Sequence, residues 1–213
     1  MPNWVYNNVT LTGSLSDLSV LKRALALPAP IQMSGLNPPL VYDFNFHSLS
    51  TPEEEIWEEY NGPSLRTTNL EESLKFATNH WYDWNIRNWG CKWGPSETVA
   101  TDNFDQDDLE SYTLTYHFDT PWSPPERIIY ALSAKIEELK LDVEFEWYYE
   151  EEQGWGGVIV RDKDGNTFSA EEWDIPNSHE ELVARKGECY CIDGEFVFDD
   201  CPIEEARPIE EEN

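Results

Sequence analysis

Carboxylates and indoles are the residues in this chain whose types and spacing could do chemistry. Acids recur at short intervals in Glu53, Glu54, Glu55, Glu58 and Glu59, in Asp102, Asp105, Asp107 and Asp108, in Glu144 and Glu146, and in Glu150, Glu151 and Glu152. The run from Asp102 to Glu110 has the composition of a calcium loop but lacks the central glycine and terminal spacing of an EF-hand. In VEFEWYYEE, an extended backbone turns Glu144 and Glu146 to the face opposite Val143, Phe145 and Trp147. With Asp142 they form a row spaced about 6.7 Å per pair. Neighbouring phosphates along one DNA strand have a comparable spacing, so such a row can imitate a nucleic-acid backbone. A solvated sheet edge is the plain alternative.

The indoles concentrate in WYDWNIRNWGCKW, residues 81 to 93. Trp81 and Trp84 share a helical stripe with Ala77, Trp89 falls near the helix end, and Trp93 and Trp122 lie in or beside strands. Two readings follow. The cluster ties a helix to the edge of a sheet, burying a large apolar area. Alternatively, the rings wall a cleft for a flat, nucleotide-like ligand, with Arg66, Arg87 and Lys92 supplying positive charge. Lys92 serves equally well as a stem covering indole surface.

Other chemistry is sparse. His47, His80, His117 and His179 show no paired metal-ligand spacing, although a strand would place His117 and Asp119 on one face. Cys189, Cys191 and Cys201 lack the usual zinc-knuckle spacing and read better as buried strand positions. There is no G-x-S-x-G, phosphate-binding glycine loop or C-x-x-C. The expectation is no catalytic set, no cofactor and no metal, with a metal-dependent enzyme a distant third reading.

Composition narrows the partners. Across 213 residues, 43 acidic and 14 basic side chains leave a formal charge of -29. That field opposes unaided binding to DNA, RNA or an anionic bilayer and favours cationic partners. Yet 39% of residues are hydrophobic and 14% aromatic, which is enough apolar surface to fold rather than remain an acidic disordered chain. With few cysteines, no leader-like segment and no apolar run of membrane length, the expected location is the cytoplasm.

The elements that must position these residues read in order. WVYNNVTLT is a strand ended by Gly13. A helix follows from Ser14 to Ala26, capped by Ser14 or Ser16 and stopped by Pro28 and Pro30. Residues 29 to 66 look like an insertion, with EEEIWEEY their one helical stretch. A second helix runs from Leu70 to about Trp89, closed by Gly90, before a short strand at Lys92 and Trp93. A strand from about Ser111 to Asp119 precedes a third helix capped by Ser123. Two strands, LDVEFEWYYEE and GWGGVIVRD, lead to a D-G turn at KDGN and a last strand, TFSAEEW. This order predicts an α+β fold in residues 1 to 175, with helices packed on one face of a mostly antiparallel sheet. Residues 176 to 213 form a C-terminal appendage ending in a frayed acidic tail.

Three segments carry a family resemblance: MPNWVYNNVTLTG, WYDWNIRNWGCKW and FDTPWSPPERIIYALS. Together, in this order, they resemble the YubB-like ferredoxin-like family carried by plasmids and phages. The Trp-Gly-x-Lys-Trp pattern is matched by Trp89, Gly90, Cys91, Lys92 and Trp93, with cysteine where threonine is more familiar. Thr120 to Pro125 match Thr-Pro-Trp-x-Pro-Pro. The resemblance implies a ferredoxin-like domain and an origin in a mobile element, but no settled activity. With the charge, it leads to an expected role as an acidic accessory protein that engages a host nucleic-acid-binding or defence protein by mimicking DNA. Capture of a nucleotide-like ligand in the aromatic cleft is the alternative.

Overall fold

Alternation in the first strand decides which way the sheet faces. In β1 (Trp4–Gly13), Val5, Asn7, Val9 and Leu11 are fully buried, while Tyr6, Asn8, Thr10 and Thr12 turn to the other face. The computed structural model describes residues 2–26, 43–62, 78–107, 109–176 and 181. Helix α1 (Leu15–Leu25) begins at Ser14, whose hydroxyl accepts from the Asp17 amide at 3.1 Å, and it buries Leu18, Leu21 and Leu25. Two 3₁₀ turns, Phe46–Ser48 and Glu54–Ile56, precede the short α2 (Trp57–Asn61) and α3 (Trp81–Trp89). Then come β2 (Ser96–Asp102), β3 (Tyr112–Pro121), α4 (Glu126–Glu138), β4 (Val143–Glu151), β5 (Gly156–Arg161) and β6 (Thr167–Trp173).

The six strands form one sheet in the order β2-β3-β1-β4-β5-β6, and every neighbouring pair is antiparallel. The four strands β2-β3-β1-β4 with α1 and α4 reproduce the β-α-β-β-α-β ferredoxin-like arrangement, and β5 and β6 extend it beyond β4. This is the α+β architecture expected from the element order. Leu18, Leu21 and Leu25 of α1 and Ile128, Ile129, Leu132 and Ile136 of α4 join the buried sheet residues in one core. Asn7 sits fully buried within it, every polar side-chain atom partnered. Its amide donates to Val5 O at 2.8 Å and Thr120 Oγ1 at 3.0 Å, and its Oδ1 accepts from Trp147 Nε1 at 3.1 Å.

Within residues 29 to 66, the described part adds to that core. Phe44 stacks on Tyr116 with centroids 5.1 Å apart, and Phe46 meets Trp89 edge-on at 5.6 Å. The hairpin expected at KDGN is present: Gly165 has φ +84°, and the Asn166 amide donates to Asp162 Oδ1 at 2.9 Å.

Three local expectations are corrected. The second helix does not run unbroken to Trp89, because His80 has an extended ψ of 143° immediately before α3; residues 70–77 lie outside the described residues. Lys92 and Trp93 are not a strand but part of a bend after the left-handed Gly90, and the strand forms later, as β2. Ser123 does not cap α4: Pro125 occupies that position without a side-chain bond, and the Ser123 hydroxyl donates to Gly90 O at 2.6 Å. Apart from Pro176 and Glu181, the C-terminal segment lies outside the described residues, including Cys189, Cys191 and Cys201.

Candidate functional site

The indole-rich stretch separates into a buried set and a surface set. Trp84 and Trp89, one helical turn and a half apart on α3, are both buried and meet edge-on at 5.8 Å. Around them the polar groups close on one another. Trp89 Nε1 donates to Ser50 O at 2.9 Å, the Tyr60 hydroxyl to Asn85 Oδ1 at 2.8 Å, and Asn85 Nδ2 to Lys92 O at 2.9 Å. His47 packs edge-on to Trp89 at 4.8 Å, and burial lowers its pKa from 6.5 to about 4. Cys91 is buried too, its thiol pKa raised by desolvation, so it is a poor nucleophile. Gly90 allows this knot to close. At φ +90° it ends α3, and a Cβ there would stand 3.1 Å from the Glu126 amide at the start of α4.

The surface set is Tyr82, Trp93 and Trp122, gathered round the Lys92 ammonium at 5.1, 5.0 and 4.6 Å from their centroids. Trp81, half-buried, packs beside Tyr82. Arg87 reaches away, donating to Thr78 O at 2.6 Å. Arg66 lies outside the described residues. The expected cleft residues are thus divided, and the two cations described among them already have partners inside the chain.

The acids also fall into distinct places. Glu53, Glu54, Glu55 and Glu58 are exposed around the second 3₁₀ turn and α2, while Glu59 accepts from Asn79 Nδ2. Asp102 closes β2 and binds Lys22 at 2.7 Å, which holds its carboxyl below the usual range. Asp105 and Asp107 are exposed in the following turn, and Asp108 lies outside the described residues. On β4, Glu144 and Glu146 are exposed and alternate with buried Val143, Phe145 and Trp147.

Glu150, Glu151 and Glu152 continue from β4 into a feature that the sequence did not disclose. At this end of the sheet a groove of about 1010 Å³ opens on the face away from the helices. Its floor and walls are aromatic: Trp4, Tyr6, Tyr148 and Trp173. Among the described residues, its remaining lining is acidic: Asp119, Glu150, Glu151, Glu152 and Glu171. Register makes this assembly. Tyr6 pairs with Asp119 on one side and Glu150 on the other, and Gly156 pairs with Trp173. The rings touch in series, Tyr6 to Tyr148 at 6.3 Å and Tyr148 to Trp173 at 5.5 Å. Trp4 meets Trp93 at 6.1 Å, joining the groove to the aromatic set round Lys92.

Hydrogen bonds fix part of the lining. Asn3 Nδ2 and the Gln153 amide each donate to the buried Glu151 carboxylate at 2.6 Å, and the Tyr148 hydroxyl donates to Glu150. Tyr6 Oη lies 2.9 Å from His117 Nδ1, so His117 and Asp119 do share a face. Burial, then Glu97 and Glu152, raise the Asp119 pKa. Among the described residues, no group of three or more His, Cys, Asp or Glu is arranged to hold a metal ion. No described helix is long and apolar enough to cross a membrane.

Residues 89–187 match the family model described as a ferredoxin-like domain in Api92-like protein. The match begins at Trp89, takes in both tryptophan motifs between Trp89 and Pro125, and covers just under half of the chain. Comparison with curated proteins and with solved structures returned no match. What this chain is shown to be similar to is therefore the ferredoxin-like domain of Api92-like proteins, and the likeness does not single out the YubB-like family that its motifs suggested.

Proposed function

We propose that this protein is an acidic accessory protein of a mobile element or phage, acting in the host cytoplasm by binding a nucleic-acid-binding or defence protein in place of DNA. The observation that carries the reading is the placement of acid on the sheet face turned away from α1 and α4. Glu144, Glu146 and Glu150 project along one side of β4, and Asp119, Glu152 and Glu171 continue the field at the groove. A DNA-binding partner would meet these carboxylates where it expects phosphates, at a spacing of about 6.7 Å along the strand. A nucleotide-like ligand has less in its favour, because the groove is walled by acids and Lys92 is already engaged by three rings.

The test is affinity capture from host lysate at low and high salt, with duplex DNA as competitor. The expected result is a nucleic-acid-binding protein retained at low salt and released both by salt and by DNA. A salt-sensitive partner that duplex DNA leaves in place overturns mimicry, and so does the absence of any salt-sensitive partner.

A further inference from the structure

On the sheet face turned away from α1 and α4, acids and exposed aromatic rings share the same surface. Glu144 and Glu146 are exposed two residues apart on β4, and Asp119 lies directly across the β1–β3 pairing from Tyr6. Tyr6 is 43% exposed, its ring oriented by the 2.9 Å hydrogen bond between its hydroxyl and His117 Nδ1. Register carries the Glu146 row through Val160 to Phe168 on β6, which is 46% exposed. In the order β3-β1-β4-β5-β6 the two rings therefore flank the acids of β4, one on each side.

That mixture separates the two forms of nucleic acid. A duplex keeps its base faces stacked inside and shows a reader only phosphates and base edges. Exposed rings have no counterpart on such a surface. A single strand leaves base faces uncovered beside its phosphates, and proteins that bind it combine a basic groove with aromatic stacking platforms. We propose that this face stands in for a single strand, and that the partner it fits is a protein whose groove binds single-stranded nucleic acid. The partner's cations meet Asp119 and the Glu144–Glu146 pair, whose members lie about 6.7 Å apart, and its stacking rings meet Tyr6 and Phe168. This rests on the reading that the partner is a nucleic-acid-binding protein, and it names which kind. Duplex DNA still competes for such a partner through its phosphates, but more weakly.

Host lysate is passed over two resins matched in phosphate, one carrying oligothymidine and the other a mixed-sequence duplex. Each is then eluted with rising concentrations of the full chain. The expected result is a protein released from the single-strand resin in complex with this chain. Its release should need a concentration at least about tenfold below that for any release from the duplex resin. Tyr6→Ser with Phe168→Ser should raise the concentration needed at the single-strand resin at least about fivefold, and Glu144→Gln with Glu146→Gln should do the same. Tyr130→Ser removes a ring that is 51% exposed on α4, behind the sheet, and should change nothing. Thermal melts confirm that each variant is folded.

Release from the duplex resin at a comparable or lower concentration overturns the single-strand inference and leaves mimicry standing. Release from neither resin overturns both. The inference also falls if the double ring variant elutes like the parent, or if Tyr130→Ser loses as much. A protein that leaves the resin without this chain bound to it sinks the inference as well.

Discussion

Two aromatic assemblies flank the same sheet, and they differ in what surrounds the rings. Behind it, Trp84, Trp89, Phe46 and Tyr60 are buried, and Trp89, Tyr60 and Asn85 hydrogen-bond within the knot. Across it, Trp4, Tyr6, Tyr148 and Trp173 line a groove among carboxylates. Ring density is similar in both, so aromatic content alone does not mark a site. Placement of charge does. Among the described residues, the buried knot keeps ionised groups out, while the groove sets like charges side by side, at a cost in self-repulsion.

The sharpest way to break this contrast is to delete a ring from each side. Trp89→Ala should destabilise the fold by about 3–5 kcal/mol through lost burial and the cavity left behind, read from urea denaturation. Tyr148→Leu, on the open face, should cost less than about 1 kcal/mol. Comparable losses would mean that the groove rings are core after all.

Acid should damage the knot next. His47 is neutral in the fold with a pKa of about 4, whereas the unfolded chain protonates it near 6.5. Between these values the unfolded state binds more protons, so stability falls as pH is lowered through that window, by up to about 3 kcal/mol. His47→Phe keeps a ring against Trp89 and should remove this part of the pH dependence, seen by comparing melts of variant and parent.

A smaller loss is expected from Gly90→Ala, because φ +90° is strained for alanine and the methyl would crowd the Glu126 amide at 3.1 Å. About 1–2 kcal/mol is the expected cost, again by denaturation. The smallest effect should have the opposite sign. Asp119 has a raised pKa, so the folded state holds its proton more tightly and stability declines as pH rises from the unfolded value of 3.8 through the folded one. Asp119→Asn should therefore stabilise the protein above that window, by less than about 1 kcal/mol because the group is only partly buried, and make no difference below it.

Strands with one buried face were legible in the sequence, and strands without one were not. VEFEWYYEE and YTLTYHFDT alternate cleanly, and β4 and β3 form where that pattern lies. SETVATD buries no residue and carries a register shift between Ser96 and Val99, so β2 left no periodic trace. Lys92 and Trp93 misled because aromatic strand preference was read without the turn that Gly90 imposes. The buried place of Trp84 followed from helical spacing, whereas Trp89 was read only as falling near the helix end. The groove did not follow, since its residues come from β1, β3, β4 and β6 and meet only through register. Alternation could place Tyr6 and Tyr148 away from the core, but no local signal set Asp119 beside Tyr6.

The central place of β1 bears on how the chain acquires its shape. Both edges of Trp4–Gly13 are closed by distant segments, Tyr112–Pro121 on one side and Val143–Glu151 on the other. On the ribosome, at roughly 5–20 residues per second, β1 would wait on the order of 10 s for its last neighbour to be made. Through that interval its Val and Leu side chains and its unpaired backbone are open to other chains, and such long-range pairing is slow even once the partners exist. The short helix that follows, α1, has its own cap and an apolar stripe of Leu18, Leu21 and Leu25, so it can cover one side of the waiting strand. The other side carries Thr10, Thr12 and Asn8, polar residues that discourage premature association during synthesis.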